Sequence, residues 1–160
     1  ILSGLVGSEM CIRDRALACD FRIGDDTTRM GIPAARRGIV YGPLDCSLLL
    51  RQVGLANAKR ILFSGRAFEV EECRSLGLLD MTARTGSALE AARAYADELS
   101  ASAPLSIAGA KLVLEALDAG TVDARRHDIE DAINRAMNSD DYREASLAFI
   151  EKRAPRFTGR

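Results

Sequence analysis

The sequence has one histidine, no tryptophan and no long apolar run. A membrane-spanning helix needs about 20 consecutive apolar residues, whereas the longest candidates here are short pieces such as Leu48–Leu50. The single histidine, His127, lies in a charged stretch, which favours a solvated helix face over the base of a Ser-His-Asp or Cys-His site. These shortages exclude a membrane protein and argue against a histidine-dependent hydrolase.

The usual ligands of zinc are also scarce. The four cysteines, Cys11, Cys19, Cys46 and Cys73, form no CxxC pair, and with one histidine they make no familiar zinc site. We therefore expect no metal, and we interpret the cysteines as reduced thiols of a cytoplasmic protein. The charges balance, with 22 Lys plus Arg against 23 Asp plus Glu, which argues against a nucleic-acid partner.

The length of 160 residues and the hydrophobic content of 48% predict about one globular domain. Residues 1–15 lack an initiator Met and the features of a signal peptide. Their string GSEMCIRDR is similar to translated adaptor sequence, so we predict a non-native segment over 1–15, the alternative being a disordered N-terminus. We predict an α/β part over 16–100 and a helical region over 101–160.

Short strands and helices alternate in the α/β part. Strand and turn signals predict strands at 21–24 and 28–32, joined as a hairpin-like pair. Gly54 separates two predicted helices, and Gly77 ends a third. The predicted helices are 44–53, 56–63, 69–76 and 87–100, with a strand at 78–81 before the last of them.

The helical region contains three predicted helices. Pro104 and Gly120 bracket the first, and a stripe from Ile129 to Met137 marks the second. Ser139 is the predicted N-cap of the third, and Pro155 is predicted to end it. This length of amphipathic helix predicts packing against another subunit or a missing half of the protein.

Several segments, in this order, resemble the crotonase, or enoyl-CoA hydratase/isomerase, superfamily. They are Leu17–Asp20, Gly31–Pro33 with Gly38 five residues on, 53–66, 70–79 and 139–153. The resemblance covers residues 16–160. It implies a partial ClpP/crotonase-like spiral ββα fold of the α/β class, with a C-terminal α-helical trimerisation region and a homo-trimer or hexamer.

The resemblance also implies acyl-CoA thioester chemistry through a stabilised enolate. CoA is then part of the substrate, and no other cofactor is expected. The two backbone N–H donors that stabilise the enolate oxygen would lie at and upstream of Ser8–Arg15. The two carboxylates of family hydratases map to Asp14 and Ala34, and a methyl group cannot transfer a proton. Gly31, Pro33, Ala34 and Gly38 are predicted to line the acyl-binding site.

Tyr41 is the predicted catalytic residue. The segment Gly38–Tyr41 resembles the corresponding segment of methylmalonyl-CoA decarboxylases, and a phenol there could bind a substrate oxygen or donate a proton. The alternative is a packing tyrosine. The neighbouring Arg36 and Arg37 are interpreted as a solvated or subunit-contact pair rather than a carboxylate clamp.

Phe149 and Lys152 are the remaining predicted binding residues. As positions i and i+3 of one helix they would share a face, and the resemblance places them at the nucleotide end of CoA on a neighbouring subunit. The alternative is a core phenylalanine and a surface lysine.

These observations predict an enoyl-CoA hydratase/isomerase family member, a lyase of hydratase or decarboxylase type, with isomerisation not separated from it. Two alternatives stay open. One is a non-catalytic acyl-CoA-binding or scaffold member of the same fold, motivated by Ala34. The other is a helical interaction module formed by 101–160.

Overall fold

The computed structural model describes residues 16–160, which divide into two compact units, 16–93 and 94–160. The predicted non-native segment, Asp14 and the donors predicted near Ser8–Arg15 lie outside the described residues. The predicted boundary after residue 100 stays a prediction. Over 16–160, every helix is too short or too polar to cross a bilayer.

The first unit alternates short strands with helices. Its elements are β1 (Ile23–Asp25), β2 (Met30–Gly31), a 3₁₀ turn (Ala35–Arg37), α1 (Pro43–Ser64), β3 (Ala67–Phe68), α2 (Val70–Leu76), β4 (Met81–Ala83) and the start of α3 (Ala88–Ser100). Strand β1 pairs in parallel with β4, and β2 pairs antiparallel with β3. This mixed composition agrees with the predicted α/β class.

The predicted hairpin between the first two strands is wrong, because each strand pairs with a distant one. The buried carboxylate of Asp25 connects the end of β1 to the segment that follows β4. It accepts hydrogen bonds from Thr27 N at 3.0 Å, within the turn after β1, and from Gly86 N at 2.9 Å, beyond β4. These bonds tie the turn after β1 to the chain that leaves β4.

The predicted strand at 78–81 is displaced, since β4 begins at Met81. The amides of Leu78 and Leu79 both donate to the Cys73 carbonyl oxygen, which closes α2 instead of forming a strand ladder. Asp80 then accepts from Arg22 N at 2.7 Å and pairs with the Arg22 guanidinium at 2.7 Å. The side chains of Leu78 and Leu79 are buried in the core, although neither residue belongs to a strand.

The break in α1 confirms the two predicted helices. Gly54 has φ 71 and ψ 168 within the helix, and Gly65 ends it in the left-handed conformation. The side chains that α1 buries join the strands in one core cluster. Its most enclosed members are Ile32, Leu49, Ile61, Phe68, Cys73, Leu76 and Leu78.

The second unit contains the end of α3 followed by α4 (Pro104–Asp118), α5 (Arg126–Met137) and α6 (Asp140–Glu151). The Ser139 hydroxyl caps α6 by accepting from Tyr142 N at 3.1 Å, as predicted. Helix α6 ends at Glu151, before the predicted stop at Pro155. Within the chain, the apolar face of α5 is only partly covered, because Ile133 and Met137 are about half exposed.

The C-terminal tail (residues 153–160) folds back along α6. The buried Asp141 carboxylate accepts from Thr158 N at 2.7 Å and from Gly159 N at 2.8 Å. Arg153 forms two parallel hydrogen bonds to Glu144, at 2.6 and 2.9 Å, and Arg156 N donates to the same carboxylate at 2.9 Å. Two carboxylates of α6 therefore fix the whole tail.

The close approach of β2 and β3 generates the first prediction. A Cβ placed on Gly31 would lie 2.2 Å from the Arg66 carbonyl oxygen and 2.7 Å from Ala67 Cα. We expect Gly31→Ala to destabilise the protein by about 1–3 kcal/mol or more, because backbone atoms must move. Urea unfolding measures this. Gly42→Ala is the control, since its Cβ meets nothing closer than 3.7 Å, and an equal loss in both variants would contradict the prediction.

The pH dependence of stability follows from Glu144. The hydrogen bonds from Arg153, and then that from Arg156 N, lower the pKa of its carboxyl from 4.5 to about 2. The unfolded chain therefore binds a proton at higher pH than the folded chain. The stabilisation is complete above the unfolded pKa and is lost as the pH falls through the folded pKa.

We expect Glu144→Gln to be less stable than the unsubstituted protein by a constant amount above about pH 6. The difference should shrink between about pH 5 and 2, and thermal unfolding across this range measures it. A difference independent of pH would show that the Glu144 carboxylate does not carry it.

Candidate functional site

The predicted acyl-binding residues form one continuous segment that links β2 to α1. After Gly31, Pro33 is half-buried and the methyl group of Ala34 is buried against the core. The Ala34 carbonyl oxygen accepts from Arg37 N at 3.0 Å and from Ile39 N at 3.1 Å, which closes the 3₁₀ turn. Gly38 then takes the left-handed conformation with φ 64. The 3₁₀ turn of this segment is therefore closed by the segment's own backbone.

Ala34 is a buried residue of this segment. Its side chain is 4% exposed and contains no group that transfers a proton. A carboxylate at this position would have to leave the core or be buried at a cost. The roles of Gly31, Pro33, Ala34 and Gly38 in binding stay predictions.

Tyr41 lies two residues before the first residue of α1. It is half-buried and packs against the core cluster, and its carbonyl oxygen accepts a weak hydrogen bond from Cys46 Sγ at 3.7 Å. Gly42 is the N-cap of α1 and its carbonyl oxygen accepts from Cys46 N at 3.0 Å. Because Pro43 begins the helix with a fixed φ, the start of α1 holds the backbone that follows Tyr41. The catalytic role and the packing role both remain compatible with this position.

Arg36 and Arg37 are exposed beside this segment, and their interpretation as a solvated or subunit-contact pair stays a prediction. Arg36 Nε donates to the Ser64 carbonyl oxygen at 3.3 Å, and its side chain lies against Gly65. Arg36 thus joins the 3₁₀ turn to the end of α1.

Phe149 lies in the last turn of α6 with 86% of its surface exposed, so the alternative of a core phenylalanine is wrong for this chain. The expectation that Phe149 and Lys152 share a face stays a prediction, and the Lys152 amide donates to the Phe149 carbonyl oxygen at 3.4 Å. Lys152 follows the helix as its C-cap, in the left-handed conformation with φ 54. The amide of Arg153 then turns back to the Ala148 carbonyl oxygen at 3.1 Å, which ends the helical path.

The residues that hold the tail were missed by the sequence analysis. Asp141 is 2% exposed, and Glu144 pairs with Arg153, whose own pKa is raised by hydrogen bonds to Glu144 and Glu151. The acidic residues after Ser139 fit the ordinary preference for negative charge at a helix N-terminus. Because the helix N-terminus already accounts for acidic residues at these positions, the sequence offered no reason to expect contacts with the tail. The one available signal was the presence of basic residues in the tail, Arg153 and Arg156, after an acidic helix.

The described residues contain no cluster of three or more His, Cys, Asp or Glu side chains that could hold a metal. His127 is solvated, with its side chain 85% exposed and Nε2 3.5 Å from Asp131. Burial raises the pKa of the Cys73 thiol, so this thiol is protonated and poorly reactive at neutral pH.

Comparisons with known proteins show the family to which the chain belongs. Residues 14–160 match the family model described as enoyl-CoA hydratase/isomerase. An enoyl-CoA isomerase/hydratase of Mycosarcoma maydis is 35% identical, over 91% of this chain and 53% of the relative. The human enoyl-CoA hydratase domain-containing protein 2, a mitochondrial protein, is 34% identical, over 91% of this chain and 51% of the relative.

A solved structure gives the same result for the fold. The crystal structure of an enoyl-CoA hydratase from Mycobacterium tuberculosis superimposes with a TM-score of 0.79 at 30% identity, covering 90% of this chain and 57% of that one. The chain spans about half the length of the curated relatives it matches. The match over residues 14–160 confirms the predicted resemblance and the predicted crotonase-like fold: the chain belongs to the enoyl-CoA hydratase/isomerase family.

Proposed function

We propose that the protein that carries this chain acts on an acyl-CoA thioester through a stabilised enolate, as a lyase of hydratase or decarboxylase type. The observation that carries the proposal is the ordered segment from Gly31 to Tyr41 in a chain of this family. Along the chain, this segment consists of the end of β2, the 3₁₀ turn and then Tyr41. CoA belongs to the substrate, and no further cofactor is proposed.

Tyr41 is the proposed catalytic group. A phenol has a pKa near 10 in solution, so at neutral pH it is a hydrogen-bond and proton donor rather than a base. In a decarboxylation, the bond to the leaving carboxylate breaks, carbon dioxide leaves, and the electron pair enters the thioester enolate. Tyr41 would then give its proton to the α-carbon and regain one from solvent. The buried methyl of Ala34 supports this role over activation of water by two carboxylates.

Gly31, Pro33, Ala34 and Gly38 are proposed to line the acyl group. Phe149 and Lys152 are proposed to contact the nucleotide end of CoA held by a neighbouring copy, the ring on adenine and the ammonium on phosphate. Their exposure supports an intermolecular role, since neither is covered within this chain. The proposal includes a homo-trimer or hexamer and a cytoplasmic location, the latter supported by the thiols of Cys46 and Cys73, which form no disulfide.

Tyr41→Phe tests the catalytic proposal in the native gene product that contains this chain. Turnover is measured on a panel of enoyl-CoA and malonyl-type CoA esters. We expect kcat to fall by about a hundredfold or more on the best substrate, because a positioned proton donor contributes about 10²–10⁴-fold. Tyr142→Phe is the matched control, since it removes the same oxygen from an exposed tyrosine of α6. Equal kcat for both variants would assign Tyr41 to packing.

The second candidate function is a non-catalytic acyl-CoA-binding or scaffold protein, favoured by the methyl group at Ala34. The same substrate panel distinguishes it. Binding of CoA esters without turnover of any of them would replace the enzyme proposal by this one.

The helical interaction module over 101–160 is the third possibility considered for this chain. The exposed apolar side chains of the second unit, among them Leu114, Leu117 and Ile150, support a surface that another polypeptide covers. Sedimentation analysis of the native protein gives its assembly state. A protein that stays monomeric would favour the module over the proposed trimer.

A further inference from the structure

Lys152 has an unusual backbone conformation. It is the only non-glycine residue with a positive φ among residues 16–160. Helices α1 and α2 end at Gly65 and Gly77 in the same left-handed conformation, which glycine adopts without the steric conflict of a Cβ atom. A lysine in this conformation persists only where its surroundings hold it, and such residues often mark functional sites.

The residues after Lys152 supply that restraint. The Arg153 guanidinium binds both oxygens of Glu144, and its Nε donates to Glu151 at 2.5 Å. Arg156 N donates to Glu144 from further along the tail. The chain is thus fixed on both sides of Lys152, by α6 before it and by the Glu144 carboxylate after it.

The ion pairs of Arg153 occupy the neighbouring carboxylates, so the Lys152 ammonium can bind a ligand. Glu144 and Glu151 are both engaged by Arg153, and Lys152 has no ion-pair partner in the described part of the chain. The exposed ring of Phe149 lies three residues earlier. A cation and an aromatic surface, both open to solvent, suit a ligand that carries phosphate and a planar base.

We propose that the Glu144–Arg153 pair is a positioning device that holds the left-handed turn at Lys152, and so presents the Lys152 ammonium to a phosphate group of the ligand. Glu144 and Arg153 are positioning residues, because they act through Lys152 and do not themselves touch the ligand. This inference rests on the proposed function, in which Phe149 and Lys152 contact the nucleotide end of CoA.

The experiment compares two thioesters of the same acyl group, one of CoA and one of pantetheine, which lacks the nucleotide and its phosphates. The native gene product is used with Glu144→Gln, and Glu115→Gln is the matched control, because Glu115 forms an exposed ion pair with Lys111 away from the tail. We expect Glu144→Gln to raise KM for the CoA ester about fivefold. Its kcat, and KM for the pantetheine ester, should not change.

Two further variants separate the possible failures. Lys152→Gly removes the ammonium and suits the left-handed conformation, so it should raise KM for the CoA ester at least as much. In that background Glu144→Gln should add nothing, because the two residues act through one contact. Arg153→Lys keeps the charge but loses the two parallel hydrogen bonds, and it provides the test if Glu144→Gln does not fold.

A direct readout is the φ angle of Lys152 in a crystal structure of the native gene product, which should move away from the left-handed value in Glu144→Gln. If Lys152→Gly leaves KM for the CoA ester unchanged, the proposed nucleotide contact fails and this inference with it. If Lys152→Gly raises that KM while Glu144→Gln and Arg153→Lys do not, the contact stands and the positioning role is overturned. Equal effects on both thioesters would also overturn it, because they indicate a general structural role.

Discussion

The first unit depends on one backbone contact, the approach of β2 to β3 at Gly31. Any side chain at this position would occupy the space of the Arg66 carbonyl oxygen. Because the two strands can lie this close, Ile32 and Phe68 are both enclosed in the same core beneath α1. The contact at Gly31 therefore fixes where β2 ends, and with it the position of Pro33 and of the 3₁₀ turn that follows. The position of Tyr41 follows from this contact and from the cap of α1.

Charged groups support both units by binding to the backbone and to aromatic surface, rather than as isolated surface pairs. In the first unit, the Arg66 guanidinium lies 4.0 Å from the centre of the buried Phe68 ring and pairs with Glu72, which lowers the pKa of the Glu72 carboxyl. In the second unit, Asp141 accepts from the amides of Thr158 and Gly159, and Glu144 accepts from the Arg156 amide in addition to binding Arg153. Exposed ion pairs contribute little alone, whereas a carboxylate that also accepts from the backbone fixes the path of the chain.

The sequence predicted what local signals determine. Glycine at left-handed caps located the ends of α1 and α2 and the break at Gly54, and Ser139 located the start of α6. Strand pairing was not predictable in this way, because β1 and β4 are separated by more than 50 residues and the bond from Gly86 to Asp25 has no local signature. The end of α6 was misplaced because the chain turns at Lys152, where the Arg153 amide donates to the Ala148 carbonyl oxygen and no glycine signals the left-handed turn.

The candidate site was only partly predictable, and the reason is physical. The segment 31–41 could be identified because its glycines and proline have fixed spacing. The role of the segment was not predictable from spacing, because it depends on where a proton-transfer group lies relative to the substrate. A phenol and a carboxylate differ by about six pKa units in solution, so the phenol donates a proton at the pH at which the carboxylate accepts one. In the proposed function, Tyr41 would therefore protonate a carbanion-like intermediate, a step for which the methyl group of Ala34 offers no alternative group.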